Sequence, residues 1–459
     1  MPTQDSRVSD RAVSYLNEKY SPKGNRTGWL MIGSIFIESW DLYSIAFVLV
    51  FIKEIYHPSS LMLGLAAAGT QAGAAVGALL GGWLSDKIGR RFVFLATMIA
   101  FIVFGLAQAF APTVATLAII RFALGIPLGS DIANGYTYIM ESLPRGKREV
   151  MGNRWQFMFA VGEIAAAGIV AILYAAGVDH SILWRLVLGL GAVPAVVLFF
   201  LRYNLPETAI WLVQKGRYVE AKQVTEAMYH DRLDMLPDAD VEVPKVKLSR
   251  FLADTWSSDV KRRSTLFGWI AGTMQGLEFS TFAFYLPILF VLVGVSGILV
   301  TALLTMVLYV IAAISGLVGP QITPRIGQRG LSIYGFSIVL VSLLVAGIAI
   351  DVGALAVVPF AAAAMLWGHY WAAENCMTIP SLVARPKYRG TATGFAYLFV
   401  KVPSFLAIFL FPTFFDFIGK GNATLFVAIF PLIGVLAAVF IFREIYGYSE
   451  DASEQAVAA

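Results

Sequence analysis

Long apolar runs constrain this sequence more than any other feature. Runs of about twenty or more mainly apolar residues recur along the 459-residue chain, and each is long enough to cross roughly 30 Å of hydrocarbon as a helix. Apolar residues make up 58% of the chain and charged residues 14%, against about 25% charged in a soluble domain. A single soluble core cannot bury so many apolar side chains, so the sequence predicts an all-α membrane protein.

Glycine and proline breaks and clusters of charge divide the apolar runs into twelve predicted membrane helices. These helices are predicted at 28–51, 62–84, 92–111, 115–140, 153–176, 183–203, 265–290, 297–318, 331–350, 354–383, 391–415 and 422–442. The long polar segment 204–263 holds ten Lys or Arg and ten Asp or Glu residues. We therefore predict an N-terminal segment at 1–27, six-helix bundles at 28–203 and 264–442 joined by a linker at 204–263, and a tail at 443–459.

Lys and Arg residues predict the orientation of the chain. Short loops on the side of both termini are rich in Lys and Arg, whereas the opposite loops carry little beyond Lys53 and Lys420. By the positive-inside rule, we expect a multi-pass protein of the cell membrane with both termini and the linker in the cytoplasm. The first 27 residues are polar and charged, so no cleavable signal is predicted.

One loop sequence occurs in both predicted halves. Residues 86–91 read Asp-Lys-Ile-Gly-Arg-Arg after the second helix, and residues 324–329 read Pro-Arg-Ile-Gly-Gln-Arg after the eighth. Related six-helix halves in transporters place a binding site at their interface near the middle of the membrane. The repeat therefore predicts two pseudo-symmetric six-helix bundles with a site between them.

Charge and cysteine content argue against several functions. A net charge of +4 is too small to indicate nucleic-acid binding. Cys376 is the single cysteine, and the four His residues contain no pair at ligand spacing, so neither a disulfide nor a metal or redox centre is predicted. The sequence carries no Walker motif and no nucleophile constellation. We therefore expect no enzyme, no ATP-driven pump and no cofactor.

Carboxylates inside the predicted membrane helices are the first candidate functional groups. An ionisable side chain deep in a membrane helix costs about 2.5 to 3.5 kcal/mol on insertion scales, so it usually faces a cavity or a partner. At 1.5 Å per residue, Glu38 and Asp131 both lie roughly 15 Å from the cytoplasmic ends of their helices, and Asp41 shares a helical face with Glu38. We predict that Asp41, Asp131 and Glu38 couple transport to protons; the alternative for Glu38 is an ion pair that locks the bundle.

The second half carries ionisable groups at comparable depth. Glu278 lies in the seventh helix, His369 and Glu374 lie in the tenth, and Lys401 lies in the eleventh. A desolvated ammonium at the midplane attracts an anionic substrate, and the alternative for Lys401 is a salt bridge to Glu278 or Glu374. His369 could shuttle protons or form a polar helix contact. We predict that all four contact the substrate.

The loop between the second and third helices carries Gly82, Asp86, Gly89, Arg90 and Arg91 in the pattern Gly-x-x-x-Asp-x-x-Gly-Arg-Arg. With this motif the chain resembles the major facilitator superfamily of transporters over essentially its whole length. The resemblance implies a cavity lined by the first, fourth, seventh and tenth helices. Asp86 and the two arginines are predicted to make charge-assisted bonds to helix ends in the first half, which would hold the cytoplasmic side closed.

Further segments look like three transporter groups. Residues 121–129 and 205–217 are similar to the sugar porters. Residues 38–43, 129–141 and 389–401 are similar to phosphate:proton symporters of fungi and plants. Aromatic-acid:proton symporters are an equally close kind of relative.

These resemblances imply roles for further residues. A substrate-contacting Lys in phosphate symporters matches Lys401, and a polar sugar-porter position matches Gln156. Glu163, in the same helix as Gln156, is predicted to face the same cavity. Superfamily antiporters carry an Arg at the position of Arg121 that modulates a nearby carboxylate, and the alternative for Arg121 is an ion pair with an acid of the first half. Three aromatic residues are predicted to wall the cavity: Tyr136, Tyr285 and Trp371.

Together, these features predict a secondary active transporter that works by alternating access and uses the proton gradient. We expect symport of a small polar solute, anionic in the leading interpretation, such as phosphate or an organic carboxylate. The alternatives are a sugar or polyol:proton symporter and a drug or cation:proton antiporter. The expected partners are the solute, protons and membrane lipid, and the protein is expected to be a monomer. Six glycines between Gly64 and Gly82 recur about every four residues and predict close helix packing at a rocking interface.

Overall fold

A computed structural model describes residues 4–448, except 244–247, 283–285, 287–289, 291–293 and 296. The described residues form helices and contain no strand. The helices up to the linker are α1 (Gln4–Glu18), α2 (Gly24–Tyr56), α3 (Ser60–Ile88), α4 (Arg90–Ala109), α5 (Val114–Ser142), α6 (Lys147–Asn153), α7 (Trp155–Ala175), α8 (His180–Gly189) and α9 (Ala192–Arg202).

The linker and the second half contain the remaining described helices. These are α10 (Ala209–Gln214), α11 (Tyr218–Tyr229), α12 (Ser249–Thr255), α13 (Asp259–Phe282), α14 (Ile298–Asp351), α15 (Val358–Val383), α16 (Arg389–Ile418), α17 (Lys420–Val427) and α18 (Ile429–Phe440).

The helices account for the predicted membrane crossings. Ten stretches within the described ranges are long and apolar enough to span a membrane, and one of them is the 54-residue α14. Gly327 interrupts the helical backbone of α14, so α14 supplies the eighth and ninth crossings, which were predicted as separate helices at 297–318 and 331–350. With α13 as the seventh, the twelve-helix fold is confirmed. Its outer surface exposes large apolar side chains to lipid, among them Phe110, Phe360 and Phe440.

Glutamate side chains cap equivalent helices in the two halves. At the start of α4, Gly89 has φ +112°, and the Arg91 amide donates to Glu207 Oε2 at 3.1 Å. Inside α14, Gly327 has φ +76°, and the Arg329 amide donates to Glu444 Oε2 at 3.0 Å. Positive φ favours glycine at both positions, and each carboxylate satisfies a helix N-terminus. The loop repeat seen in the sequence is therefore also a structural repeat.

The glycine-rich face of α3 packs mainly within the first half. A Cβ added at Gly73 or Gly77 would collide with the backbone carbonyl of Phe122 or Ile126 on α5. Gly82 instead approaches Gly390 at the start of α16, in the second half. The prediction of a rocking interface was thus wrong for most of the stripe, because small residues mark close backbone approach and do not tell which neighbour approaches.

The N-terminal helix α1 packs on the linker, and its end reaches α6, where the Arg148 guanidinium donates to Asn17 Oδ1 at 3.0 Å. Its buried residues Ala12, Val13 and Leu16 form a small apolar core with α10 and α11. The Lys19 ammonium lies 2.6 Å from Asp231, and hydrogen bonds from Lys19 and Tyr15 lower the pKa of Asp231 to about 2. The described part of the segment before α2 therefore packs with the linker as one surface.

Replacing Gly77 by alanine is expected to destabilise the fold by about 1–3 kcal/mol, a typical cost of overpacking. The added methyl group meets the Ile126 carbonyl on a rigid backbone, so α3 and α5 must move apart. Thermal unfolding of the protein in detergent measures the effect.

Gly168→Ala is the matched control. A Cβ at Gly168 meets the flexible Met306 side chain at an ordinary 3.6 Å, so its unfolding midpoint should stay close to that of the wild type. Equal midpoints for the two variants would contradict close α3–α5 contact.

Candidate functional site

A small cavity lies between the two halves near the middle of the membrane helices. Its volume is about 30 Å³, room for about two water molecules. Both halves line it, with residues from α2, α3 and α7 on one side and from α13, α15 and α16 on the other. The lining residues include Gln71, Gln156, Gln275, Ser280, His369, Lys401 and Ser404, with aromatic walls from Trp155, Phe159, Phe279 and Tyr397.

Three glutamine amides face this cavity from three helices. Gln71 lies on α3, Gln156 on α7 and Gln275 on α13. The Gln71 Oε1 and Gln275 Nε2 atoms are buried without a hydrogen-bond partner. Each amide offers both donors and an acceptor, so the cavity presents unused groups of both kinds. Such a lining suits a solute rich in hydroxyl groups. Sequence reasoning named Gln156 alone, and a search for uncharged polar residues in the spans would also have found Gln71 and Gln275.

Lys401, which also lines the cavity, is already paired. Its ammonium on α16 contacts the Glu38 carboxylate on α2 and lies 4.8 Å from the centre of the Tyr397 ring. The alternative salt bridge predicted for Lys401 named Glu278 or Glu374, and that choice of partner was wrong. The Glu38–Lys401 pair joins the two halves, and the Glu38 carboxylate neutralises the positive charge of Lys401 at the cavity.

Asp41 forms a second buried pair inside the first half. Its Oδ1 lies 3.1 Å from the Arg121 guanidinium, Gln108 donates to Oδ1 at 3.1 Å, and Thr70 donates to Oδ2 at 3.0 Å. Arg121 also donates to the Ala66 carbonyl. Arg121 therefore has the first-half acid partner that was its alternative prediction, and α2, α3, α4 and α5 meet at one polar cluster.

Asp131 forms a third pair with Arg202, at the end of α9. Arg202 donates to both carboxylate oxygens, at 3.1 and 2.9 Å, and Thr97 donates to Oδ1 at 2.9 Å. Arg202 also donates to the Leu30 and Met31 carbonyls at the start of α2. The sequence prediction missed Arg202 because it lies at the edge of the sixth span, although an arginine inside a predicted membrane helix was itself the available signal.

Glu278 and His369 contact each other inside the second half. His369 Nδ1 lies 2.7 Å from Glu278 Oε1, and the imidazole ring stacks on Phe279 with centroids 4.0 Å apart. Glu278 Oε2 is buried without a partner. The structure thus brings together two of the predicted substrate residues, and His369 reaches the cavity.

Glu163 and Glu374 lie where the halves meet. The Tyr370 hydroxyl on α15 donates to Glu163 Oε2 on α7 at 2.6 Å. Both carboxylate oxygens of Glu374 are buried without a hydrogen-bond partner, next to Gly319 of α14. Neither carboxylate forms an ion pair with a described Lys or Arg.

The predicted aromatic wall differs from the observed one. Tyr136 donates to the Gly152 carbonyl at 3.0 Å, and Trp371 donates to the Ser315 carbonyl at 3.2 Å. Neither residue lines the cavity described above, and Tyr285 lies outside the described residues. Depth along a helix does not fix rotation about its axis, so sequence alone does not tell which aromatic residues face inward.

The loop motif joins the halves on the linker side. Asp86 accepts hydrogen bonds from the Gly390 amide at 3.0 Å and from the Thr391 amide at 2.7 Å, at the start of α16. The helix end bound by Asp86 therefore belongs to the second half, not to the first as predicted. Arg90 instead binds Glu141 of the first half at 2.9 Å. Asp86 thus links the two halves on the linker side.

A family model described as "Sugar (and other) transporter" matches residues 27–454 of the chain. The chain is 26% identical over 434 residues to the glucose transporter GlcP of Staphylococcus epidermidis, which covers 92% of this chain and 94% of that protein. It is 28% identical over 313 residues to the arabinose-proton symporter of Escherichia coli K12, which covers 67% of this chain and 64% of that protein.

The fold is similar to that of a solved transporter. The structure of the proton:xylose symporter XylE bound to 6-bromo-6-deoxy-D-glucose matches with a TM-score of 0.74 at 19% identity, covering 94% of this chain and 98% of that chain. This likeness confirms the predicted architecture of two pseudo-symmetric six-helix bundles.

Arg202→Met is expected to lower the free energy of unfolding by about 3–5 kcal/mol, because it leaves Asp131 as an unpaired buried charge. Unfolding in detergent, by heat or denaturant, measures the loss. The double variant Arg202→Met with Asp131→Leu should recover part of it, since a buried pair replaced by apolar residues is often tolerated. A double variant no more stable than the single one would contradict a charge-pairing role.

Proposed function

We propose that this chain, which belongs to the sugar (and other) transporter family, moves a neutral sugar or polyol across the membrane together with a proton. One observation carries the proposal: three glutamine amides converge on a cavity whose lysine is neutralised by Glu38. Hydroxyl groups both donate and accept hydrogen bonds, and an amide side chain provides an acceptor oxygen and a donor nitrogen for them. Trp155 and Phe279 supply the apolar surface that typical ligand sites combine with a few polar groups.

The comparisons support this solute class and the use of protons. The related proteins named above include a glucose transporter and an arabinose-proton symporter. The leading interpretation from the sequence, an anionic solute such as phosphate or a carboxylate, depended on a free ammonium at Lys401. Because Lys401 is paired with Glu38, an anion would have to displace a carboxylate to bind there. The sugar alternative is therefore the better supported of the two.

We further propose the setting in which the transporter works. The abundance of Lys and Arg in the loops on the linker side supports a cell-membrane protein with both termini and the linker in the cytoplasm. The two bundles are proposed to span 28–203 and 264–442 and to rock about the cavity as a monomer. Asp86 and its bonds to α16 are proposed to act as the cytoplasmic gate.

Uptake into proteoliposomes tests the proposal. Proteoliposomes that contain the purified protein are loaded with unlabelled D-glucose, L-arabinose or myo-inositol. Counterflow of the same labelled solute is then measured in the presence of excess phosphate or gluconate. We expect counterflow of at least one neutral solute, unaffected by either anion, and accumulation when an inward proton gradient is imposed. Counterflow of phosphate or gluconate alone, abolished by Lys401→Ala, would overturn the choice of a neutral solute.

Gln275→Ala is expected to raise the half-saturation concentration for counterflow about 3- to 10-fold, since one neutral hydrogen bond contributes about 0.5–1.5 kcal/mol. The matched control is Gln321→Ala, because Gln321 is an exposed residue of α14 outside the cavity lining. Concentration dependence of counterflow measures both. An unchanged half-saturation concentration in Gln275→Ala would remove that amide from the proposed site.

A further inference from the structure

A second and larger pocket opens on the linker side, where the membrane helices end. Its volume is about 580 Å³, whereas the cavity between the halves holds about 30 Å³. Its lining comes from three parts of the chain: the end of α3 in the first half, the segment around the end of α10 in the linker, and the start of α16 in the second half. The two sets of lining residues do not overlap, so this pocket is separate from the proposed solute site.

Three lysines line this pocket, one from each of these parts. Lys87 lies in the last turn of α3, Lys215 follows α10, and Lys387 lies just before α16. Within the described ranges, none of the three ammonium groups is paired with a carboxylate. Each lies near the face of an aromatic ring instead, at 4.7 Å from the ring centre for Lys87, 5.6 Å for Lys215 and 5.2 Å for Lys387. An aromatic ring positions an ammonium without neutralising its charge. We call this site the lysine pocket.

Asp86 also lines the lysine pocket, but its charge is already engaged. Its Oδ1 lies 3.1 Å from the Arg90 guanidinium and accepts from the Gly390 amide, and its Oδ2 accepts from the Thr391 amide. The three lysines therefore leave the described lining with an excess of positive charge. Burial, together with the nearby charge of Arg90, lowers the pKa of Lys215. A bound anion would supply the counter-charge that these ammonium groups lack.

Apolar side chains of α3 border the lysines. Trp83 and Ile88 line the same pocket and are 37% and 41% exposed. Tryptophan is enriched at membrane–water interfaces, because its ring is apolar and its N–H is polar. Basic pockets beside membrane helices on the cytoplasmic side are suited to anionic lipid headgroups. Positive charge and exposed apolar surface thus meet at the level where a phospholipid joins its phosphate to its acyl chains.

We propose that the lysine pocket binds the headgroup of an anionic phospholipid from the linker-side leaflet and that the bound headgroup ties the two halves together. Its phosphate is shared between Lys87 of the first half and Lys387 of the second, and its apolar part packs on Trp83 and Ile88. A free phosphate ester carries the same charge but gains nothing from these two side chains, which favours the lipid. The inference does not depend on which solute is carried.

A headgroup bound to both halves has a consequence for transport. A ligand shifts an equilibrium toward the arrangement that it binds better. The arrangement described here brings Lys87 and Lys387 to one pocket, beside the bonds from Asp86 to α16. When the halves separate on the linker side, the headgroup keeps the lysine of one half alone. Anionic lipid should therefore make the linker side harder to open.

Thermal unfolding of the full-length protein in detergent tests binding. The probe is dioctanoyl phosphatidylglycerol, a short-chain lipid with one negative charge. Dioctanoyl phosphatidylcholine has the same chains without net charge, and glycerol 3-phosphate is a free phosphate ester. We expect saturable stabilisation by phosphatidylglycerol at concentrations at least about tenfold lower than by either of the others. Equal potency of glycerol 3-phosphate would assign the pocket to a soluble anion, and equal potency of phosphatidylcholine would assign the effect to the chains; either result overturns the proposal.

Lys87→Gln and Lys387→Gln should each raise the half-effective concentration of phosphatidylglycerol about fivefold, the usual contribution of one lysine to binding of anionic lipid. The matched control is Lys147→Gln. Lys147 on α6 is also an exposed lysine near an aromatic ring, 4.0 Å from the centre of Tyr20, and it lies outside the described lining of the lysine pocket. It should bind the lipid like the wild type. An equal effect in Lys147→Gln, or no effect in Lys87→Gln and Lys387→Gln, would contradict the proposed site.

Alkylation of Cys376 tests the tie between the halves. Cys376 is the single cysteine of the chain and is fully buried on α15, so a thiol reagent reaches it only when the helices part. In bilayer nanodiscs, exchanging part of the phosphatidylcholine for phosphatidylglycerol should slow alkylation by N-ethylmaleimide severalfold. The slowing should disappear when Lys87, Lys215 and Lys387 are all replaced by Gln. A wild-type rate that does not depend on the lipid, or equal slowing in the triple variant, would overturn the tie.

Discussion

The cost of placing charge in hydrocarbon governs this structure. Every ionised group carried into the membrane helices must find a partner there, and three such pairs decide which helices meet. Asp41 with Arg121 joins α2 to α5, and Asp131 with Arg202 joins α5 to α9. Both pairs lie within the first half. Glu38 with Lys401 instead joins α2 to α16, across the two halves. The buried charges therefore hold one half together and align it with the other.

Contacts within the first half and contacts between the halves both include close backbone approach, and polar bonds are added between the halves. Within the first half, α3 and α5 touch along their backbones at Gly73 and Gly77, a contact with no room for sliding. Between the halves, α3 and α16 also approach closely where Gly82 meets Gly390, and hydrogen bonds cross from Gly390 to Asp86 and from Tyr370 to Glu163. Polar bonds of this kind can be exchanged for bonds to water at small net cost. The two bundles can thus move as rigid bodies while the contacts between them are replaced.

The sequence was sufficient for the fold, because span length, loop charge and the repeated loop motif are each local properties of the chain. Pairing partners were harder to predict. Lys401 was expected to pair with Glu278 or Glu374 and pairs with Glu38, since depth along a helix is readable from sequence and rotation about its axis is not. Arg202 was missed for a different reason, its position at the edge of the sixth span. Gln71 and Gln275 could have been found, because an amide in an apolar helix is as visible in the sequence as a charge.

The paired caps at Glu207 and Glu444 have a consequence for biosynthesis. Glu207 follows the last helix of the first half, so the carboxylate that completes the start of α4 emerges from the ribosome before the second half is made. Glu444 follows α18. The amides after the turn at Gly327 therefore gain their carboxylate partner only when nearly the whole chain has been synthesised. Domains commonly fold in order during synthesis. The first bundle can therefore reach its final form early and serve as a template, while α14 is completed only by residues translated more than a hundred positions later.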